Sequence, residues 1–417
     1  MSRIDTRATK RTREEQTRAT RDALMNAALR VVSQYGYAKA SVSRITEAAG
    51  VAQGTFYSYF NTHQKLLEEL LPSEGARLLA LLGREARGSE DYFDHERRAF
   101  LAFFKYLRRN PYFLRVLTEA EIAAPASHSA HMSNVDEHYL GALRRAQERG
   151  QIRPQSDASF RVIAEVLSGS RGHIAIGLDQ QGAGAARTPA DAVETYVKFV
   201  RMGLGDALYA QTQTPAPRKK SARASPLTDT RTALLRATAR LAYEKGYEAT
   251  TVAGITQAAN VAVGTFYAHF QSRQRLLDEV LEHIRSEMLG HVGESLRGAE
   301  SFVEVECRGF LGFFDYLSAN PWYLRIETEA AVWASESYTR HFNDLTERYV
   351  LTMKRSKAAG QMAAYEEHEF PTLACIFMAA RHYLGTRFIL SNDGPNRLPT
   401  SVARTYLDLV RFGLQPR

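Results

Sequence analysis

Residues 45–60 read ITEAAGVAQGTFYSYF and residues 255–270 read ITQAANVAVGTFYAHF, an ungapped match at 11 of 16 positions across an offset of 210 residues. Outward from there, the same offset pairs FLAFFKYLRRNPYFLRVLTEAE at 100–121 with FLGFFDYLSANPWYLRIETEAA at 310–331, identical at 13 of 22 positions. It also pairs Tyr196 through Leu204 with Tyr406 through Leu414 near the end of each copy. A single offset from start to finish means that a whole unit is duplicated, rather than a short solenoid repeat. Apolar residues recur at three- and four-residue spacing and alternating strand patterns are absent, so both copies are predicted to be all-α.

The composition agrees with a globular protein of more than one domain. The chain has 417 residues, 44% hydrophobic and 24% charged, which is ordinary for folded domains and too long for one compact core. A formal charge of +8 permits a polyanionic partner without requiring one. Cys307 and Cys375 stand far apart, with no second Cys or patterned His nearby. They read as two buried free thiols in a reducing cytosol, not as a disulfide framework or thiolate metal site. The N-terminal stretch lacks the apolar core of a signal peptide and no run of 18 apolar residues occurs, so a cytoplasmic protein with no membrane role is expected. No nucleophile–base arrangement, phosphate loop or paired catalytic carboxylates emerges, so neither an enzyme nor a cofactor is expected.

In copy one, Ser41 is positioned to begin a short helix, VSRITEAA. Gly50 breaks it, and AQGTFYSYF opens another helix after a turn too short for anything but a tight corner. That is a helix-turn-helix. The turn residue must tolerate a left-handed backbone, and copy two has Asn260 where copy one has Gly50; Gly and Asn visit that region most cheaply. Ile45, Ala49, Val51 and Phe56 would hold the two helices together, with Phe60 and Leu66 seating them on the downstream part of the chain. Gln53, Thr55, Tyr57, Ser58 and Tyr59 form a polar and aromatic set that a buried helix would not need. Amides can pair with base edges, while hydroxyls and phenols hold phosphate oxygens. Packing of Tyr57 and Tyr59 against the first helix is the competing reading; recurrence in the same context in copy two favours DNA.

Both segments resemble the DNA-binding domain of the TetR/AcrR regulators. The resemblance rests on Ala48-Ala49-Gly50 through Phe60, His63 and Leu66-Leu67, and on Ala258-Ala259-Asn260 through Phe270, Arg273 and Leu276-Leu277, about 50 residues per copy. It implies base contacts at Ser43, beside Arg44, and at Gln53. It implies backbone contacts at Thr55, Tyr57, Tyr59 and His63, where the family commonly has Lys and where a His charge would vary with pH. In copy two the corresponding set is Val263, Thr265, Tyr267, His269 and Arg273. Val263 replaces Gln53 and Ala253 replaces Ser43. Valine can touch a thymine methyl but cannot make the paired hydrogen bonds of Gln with adenine, so the two half-sites are expected to differ, copy one supplying most of the specificity.

Seven basic residues (Arg3, Arg7, Lys10, Arg11, Arg13, Arg18, Arg21) precede the first unit, and Arg218, Lys219, Lys220 and Arg223 precede the second. Such arms are either solvated tails or DNA-groove arms, and their place before both units favours the latter. The resulting layout is a basic arm at 1–21, heads at 22–70 and 230–281, regulatory domains at 71–209 and 282–417, and a basic linker at 210–229. The first helix of each head is expected to stop at Gly36 or Gly246, and Asn110-Pro111 and Asn320-Pro321 read as helix starts capped by Asn.

The resemblance implies a dimer interface and a small-molecule cavity in each regulatory domain. Interface candidates are 158–178 with 190–208, and 368–390 with 399–414; paired within one chain, they would make a monomeric pseudo-dimer, and two associated chains would make a homodimer with four heads. Cavity candidates are Phe103, Phe104, Leu107, Phe113 and Leu117 in copy one and Phe313, Phe314, Leu317, Tyr323 and Glu327 in copy two, although such aromatic stripes also serve as plain core. Arg115 with Glu119 and Arg325 with Glu329, four apart, read as surface or semi-buried ion pairs. His128, His131 and His138 read as part of a solvated connector without a matching set in copy two, not as a metal site. The function expected is a repressor that binds a pseudo-palindromic double-stranded operator with two fused heads and is released by a small apolar or aromatic effector. The alternative is a ligand- or partner-binding helical scaffold in which the second head no longer binds DNA.

Overall fold

The computed structural model describes residues 12–180, 188–205, 230–390 and 396–416. Copy one forms α1 (Arg13–Tyr35), α2 (Val42–Ala49), α3 (Gln53–Phe56), α4 (His63–Glu85), α5 (Tyr92–Arg109), α6 (Phe113–Ala123), α7 (Pro125–Glu148), α8 (Asp157–Gln180) and α9 (Pro189–Met202). Copy two repeats the order as α10 (Thr230–Lys245), α11 (Val252–Ala258), α12 (Val263–His269), α13 (Arg273–Ser295), α14 (Phe302–Ala319), α15 (Trp322–Trp333), α16 (Ser335–Ala358), α17 (Phe370–Gly385) and α18 (Thr400–Phe412). No strand occurs among the described residues, and none of their helices is long and apolar enough to cross a membrane.

The described residues form two compact units, one of 12–78 with 107–134 and the other of the described residues in 79–106 and 135–416. The first holds the copy-one head and α6. The second holds the remainder of copy one and all of copy two.

Local sequence explains most helix ends. Thr12 and Glu15 form a reciprocal capping box at the start of α1, satisfying N–H groups that a helix start leaves without partners. Helix α1 therefore runs through residues expected to be a basic arm: Arg13 and Arg18 are exposed on it, while Arg21 pairs with Glu69 and lies over the Phe60 ring. The other arm residues and the linker at 210–229 lie outside the described residues.

The Asn-Pro pairs end helices rather than start them. Asn320 caps the C-terminus of α14, and the Asn110 amide donates to Leu107 at 3.1 Å. Proline cannot continue a helix because it lacks the amide hydrogen, so α6 and α15 begin only after Tyr112 and Pro321. The stretch after Pro125 is the helix α7, and His131 on it is buried. His131 also has a counterpart at the 210-residue offset, His341, which is likewise buried.

The larger unit is organised by α8, α9, α17 and α18, which pack together as the expected interface helices. Two backbone bonds show the pairing to be pseudo-two-fold: Leu204 N–H donates to the Val410 carbonyl at 2.7 Å, and Leu414 N–H donates to the Val200 carbonyl at 2.8 Å. Leu204 and Leu414, and Val200 and Val410, are equivalent positions of the two copies, so each gives what it receives, as in an isologous dimer. Cys307 and Cys375 form no disulfide and are buried in this unit, and burial pushes the Cys307 thiol up to about 11.

Candidate nucleic-acid interface and regulatory cavity

In the first head the Ser41 hydroxyl accepts the Arg44 amide at the start of α2. Gly50 ends that helix with φ 67° and ψ 31°, and Asn260 does the same service in copy two at φ 54°. The chain closes the corner through Val51 N–H to the Thr46 carbonyl at 3.1 Å, matched by Val261 to Thr256 at 3.0 Å. Ile45, Phe56 and Phe60 are buried beneath it, as are Ile255, Phe266 and Phe270. Phe56 and Phe60 lie 5.6 Å apart, ring to ring, and Phe266 and Phe270 lie 5.7 Å apart.

With the core filled by these rings, most of the remaining side chains of α3, of the turn at 57–59 that follows it and of α12 face outward. Gln53, Ser58 and His269 are exposed, and so are Tyr57 at 56%, Tyr267 at 61% and Val263 at 49%. Thr55, Thr265 and Tyr59 are half-buried. A phenol left in water on one helical turn, twice, is what phosphate contact needs and core packing does not. Ser43 and Arg44 are exposed on α2; the Arg44 guanidinium stacks 4.8 Å from the Tyr35 ring and donates to the Lys39 carbonyl at 2.8 Å.

Position 63 and its equivalent 273 differ from that set. His63 is half-buried, and its Nε2 is buried without a hydrogen-bond partner. Arg273 donates to the carbonyls of Glu248 at 3.1 Å and Thr250 at 2.7 Å and stacks over Tyr247. One of its terminal nitrogens, Nη1, is thus engaged within the head.

Each first helix of a head is fastened by an Arg–Glu pair from α6 or α15. In the smaller unit Glu119 accepts the Tyr37 amide at 2.8 Å and Arg115 Nε at 2.7 Å, while Arg115 donates to the Ser33 carbonyl at 3.0 Å. Gly36 permits this approach: its φ is +82°, and a Cβ there would stand 2.8 Å from Glu119 Oε2. In copy two Arg325 binds Glu329 at 2.9 Å. Burial pushes the Glu329 carboxyl up, against the opposing pull of Arg325 and the Tyr247 amide. The four-residue spacing was readable as an ion pair, but not its use as a clamp on a helix 82 residues away. Glu119→Ala strands a buried amide and an arginine, so a loss of about 1–3 kcal/mol is expected in denaturant unfolding of the full chain.

Copy two also contains a cavity of about 160 Å³. Phe313, Tyr323 and Glu327 stand on its wall, as expected, with Phe342 and Met378. Phe314 is buried on α14 and Leu317 is buried there too, but neither reaches the wall. Glu327 Oε1 lies 3.3 Å from His341 Nε2, and Oε2 lies 3.8 Å from His382 Nδ1. Burial pushes the Glu327 carboxyl up, but the two imidazoles outweigh it and hold the group well below the usual range. His173 of copy one also lines this cavity, so its wall crosses the four-helix seam. Among the copy-one candidates, Phe103 is buried and Phe104 stacks on Phe100 at 5.0 Å in the larger unit. Leu107, Phe113 and Leu117 belong to the smaller unit, where Phe113 packs against His131. Desolvation lowers the His131 pKa to about 4.

Two buried networks in the larger unit were missed by sequence reading, and Glu306, Arg381 and Tyr349 of the second also stand on the cavity wall. Glu96 accepts Arg171 at 2.9 Å and the Tyr196 hydroxyl at 2.8 Å. At the same offset, Glu306 accepts Arg381 at 2.7 and 3.1 Å, the Tyr406 hydroxyl at 2.5 Å and the Tyr349 hydroxyl at 3.2 Å.

Similarity to known proteins tracks the repeat. The profile described as "Bacterial regulatory proteins, tetR family" matches residues 24–70 and again 234–280. The HTH-type transcriptional repressor KstR of Mycobacterium tuberculosis is 26% identical over 152 residues, 36% of this chain and 69% of the relative. An uncharacterized HTH-type transcriptional regulator of Bacillus subtilis, YvdT, is 34% identical over 79 residues, 19% of this chain and 41% of the relative. Among solved structures, the regulator FadR of Bacillus subtilis in complex with stearoyl-CoA aligns at 17% identity over 43% of this chain and 96% of that one, with a TM-score of 0.38.

Proposed function

Because this chain is a tandem duplication of TetR-family units, we propose that it is a transcriptional repressor whose two fused heads grip one double-stranded operator and let go when a small apolar or aromatic effector binds. The observation that carries the DNA reading is the exposed pair Tyr57 and Tyr267, the first capping the end of the short helix after a left-handed corner and the second on the equivalent helix, each beside residues able to read or hold DNA. The expected effector site is the copy-two cavity, with aromatic and aliphatic walls and polar groups that include Glu327, His382, Glu306 and Arg381, a composition suited to a small ligand. Binding there would favour a state whose heads no longer suit successive major grooves, roughly 34–36 Å apart. Coupling of about 1–3 kcal/mol is enough to change occupancy several-fold to a hundred-fold.

The test is a binding titration of the full chain on fragments of the DNA flanking its own gene at two salt concentrations. With 6–10 phosphates held, affinity should fall by about 10³–10⁵ between 50 and 200 mM salt. Binding that is absent, or indifferent to salt, would sink the proposal. A second reading, a scaffold whose copy-two head is silent, is favoured by Val263, Ala253 and the intramolecular bonds of Arg273 Nη1. It predicts protection of one half-site only in footprinting.

A further inference from the structure

The geometry points to an interface built for unlike partners: the α8 face of copy one fits the α17 face of copy two and fits neither copy's own duplicate. The reciprocal bonds of Leu204 and Leu414 establish the pseudo-two-fold, so each contact has an equivalent on the other side of the seam, and the two can be compared residue by residue.

On one side Arg387 of copy two reaches across to copy one, donating to Glu165 at 3.2 Å and to Asp136 at 3.3 Å. On the other side the equivalent of Arg387 is Gly177, and the equivalents of Glu165 and Asp136 are Cys375 and Thr346. Gly177 indeed faces Cys375: a Cβ on it would stand 2.8 Å from the sulfur. One side is therefore a guanidinium between two carboxyls and the other a close small-residue contact. Burial pushes both carboxyls up, Glu165 to about 8, with Arg387 opposing; Arg161, the other cation near Asp136, is itself 3.8 Å from Glu137.

Size is distributed in the same way. Gly169 of copy one receives the ring of Tyr383, and a Cβ at 169 would meet that ring at 2.3 Å. The equivalents of these two are Ala379 and His173. A self-pair of copy one would set the buried Glu165 and the half-buried Asp136 against glycine on both sides, taking Arg387 from both carboxyls. It would also set Gly169 against a histidine instead of a tyrosine. A self-pair of copy two would leave Arg387 facing a cysteine and a threonine twice, and would drive Tyr383 into the methyl of Ala379 twice. Removing the counter-charge from buried groups is costly, and so is overfilling a packed contact. Discrimination by such mismatches is how unlike pairs exclude like ones.

The test uses the full chain with a protease site placed within residues 211–229. The folded protein is cut, the halves are exchanged in dilute denaturant, and the products are weighed by native mass spectrometry. The expected result is a one-to-one complex of unlike halves, with like pairs about ten-fold or more scarcer; like and unlike pairs in statistical proportion would overturn the inference. In the uncut chain, Arg387→Glu should lower the unfolding midpoint, and Glu165→Arg together with Arg387→Glu should recover most of the loss. A double variant whose loss equals the two single losses combined would overturn it equally, even where the cut halves fail to persist.

Discussion

Arg381→Ala should destabilise the protein by about 3–5 kcal/mol, the cost of leaving one member of a buried ion pair without its partner. Glu306 is fully buried, and its carboxylate is held by both nitrogens of Arg381 and by two phenols. The phenols each supply one neutral donor. They cannot replace a guanidinium that meets the carboxylate in a two-point fork and lies 5.6 Å from the centres of the Phe310 and Tyr349 rings. Adding Glu306→Leu to Arg381→Ala should recover much of the loss, since an apolar pair of similar volume removes the stranded charge. Denaturant unfolding of the three variants checks this. A double variant no more stable than Arg381→Ala would mean that the loss comes from the space left behind rather than from the stranded charge. The copy-one set, Glu96 with Arg171, should respond in the same direction.

The second large effect concerns DNA. Gln53→Ala should weaken binding to the preferred half-site by about 1–3 kcal/mol, the worth of a good two-point base contact, which is roughly five- to a hundred-fold. Val263→Ala should cost far less, because it removes only apolar contact with a methyl. Competition between operator variants altered in one half at a time would measure both. Equal losses in the two halves would contradict unequal heads.

The heads were legible because their rules are local. A capping hydroxyl (Ser41, and Thr251 in copy two), a residue that tolerates a left-handed corner, and aromatic residues four apart all act within about 20 positions, and each recurs in the second copy. The interface helices were placed as ranges by the family resemblance rather than by a pattern of their own, and α8, α9, α17 and α18 fall within a few residues of those ranges. What could not be read was the pairing of residues on different helices. Glu96 and Arg171 lie 75 residues apart, and nothing in either helix alone distinguishes a buried charge from an exposed one. His131 was misread because its Ser- and Ala-rich neighbours resemble a connector, while the ring itself fills a gap opposite Gly75, where a Cβ would stand 2.0 Å from Nδ1. The Asn-Pro pairs were misread because the same two residues can close one helix or open the next; here the amide of Asn110 was already taken by the helix before it.

The reciprocal bonds of Leu204 and Leu414 have a consequence for how such a molecule can change. In a dimer of identical chains every substitution at the seam occurs twice, so a charge at position 165 would have to be accommodated on both sides at once. Here position 165 and its counterpart 375 are encoded separately, and each step is met only once. Fusion thus opens to the seam, and to the heads it carries, routes of descent that symmetry closes to a homodimer, including an operator whose halves no longer mirror each other.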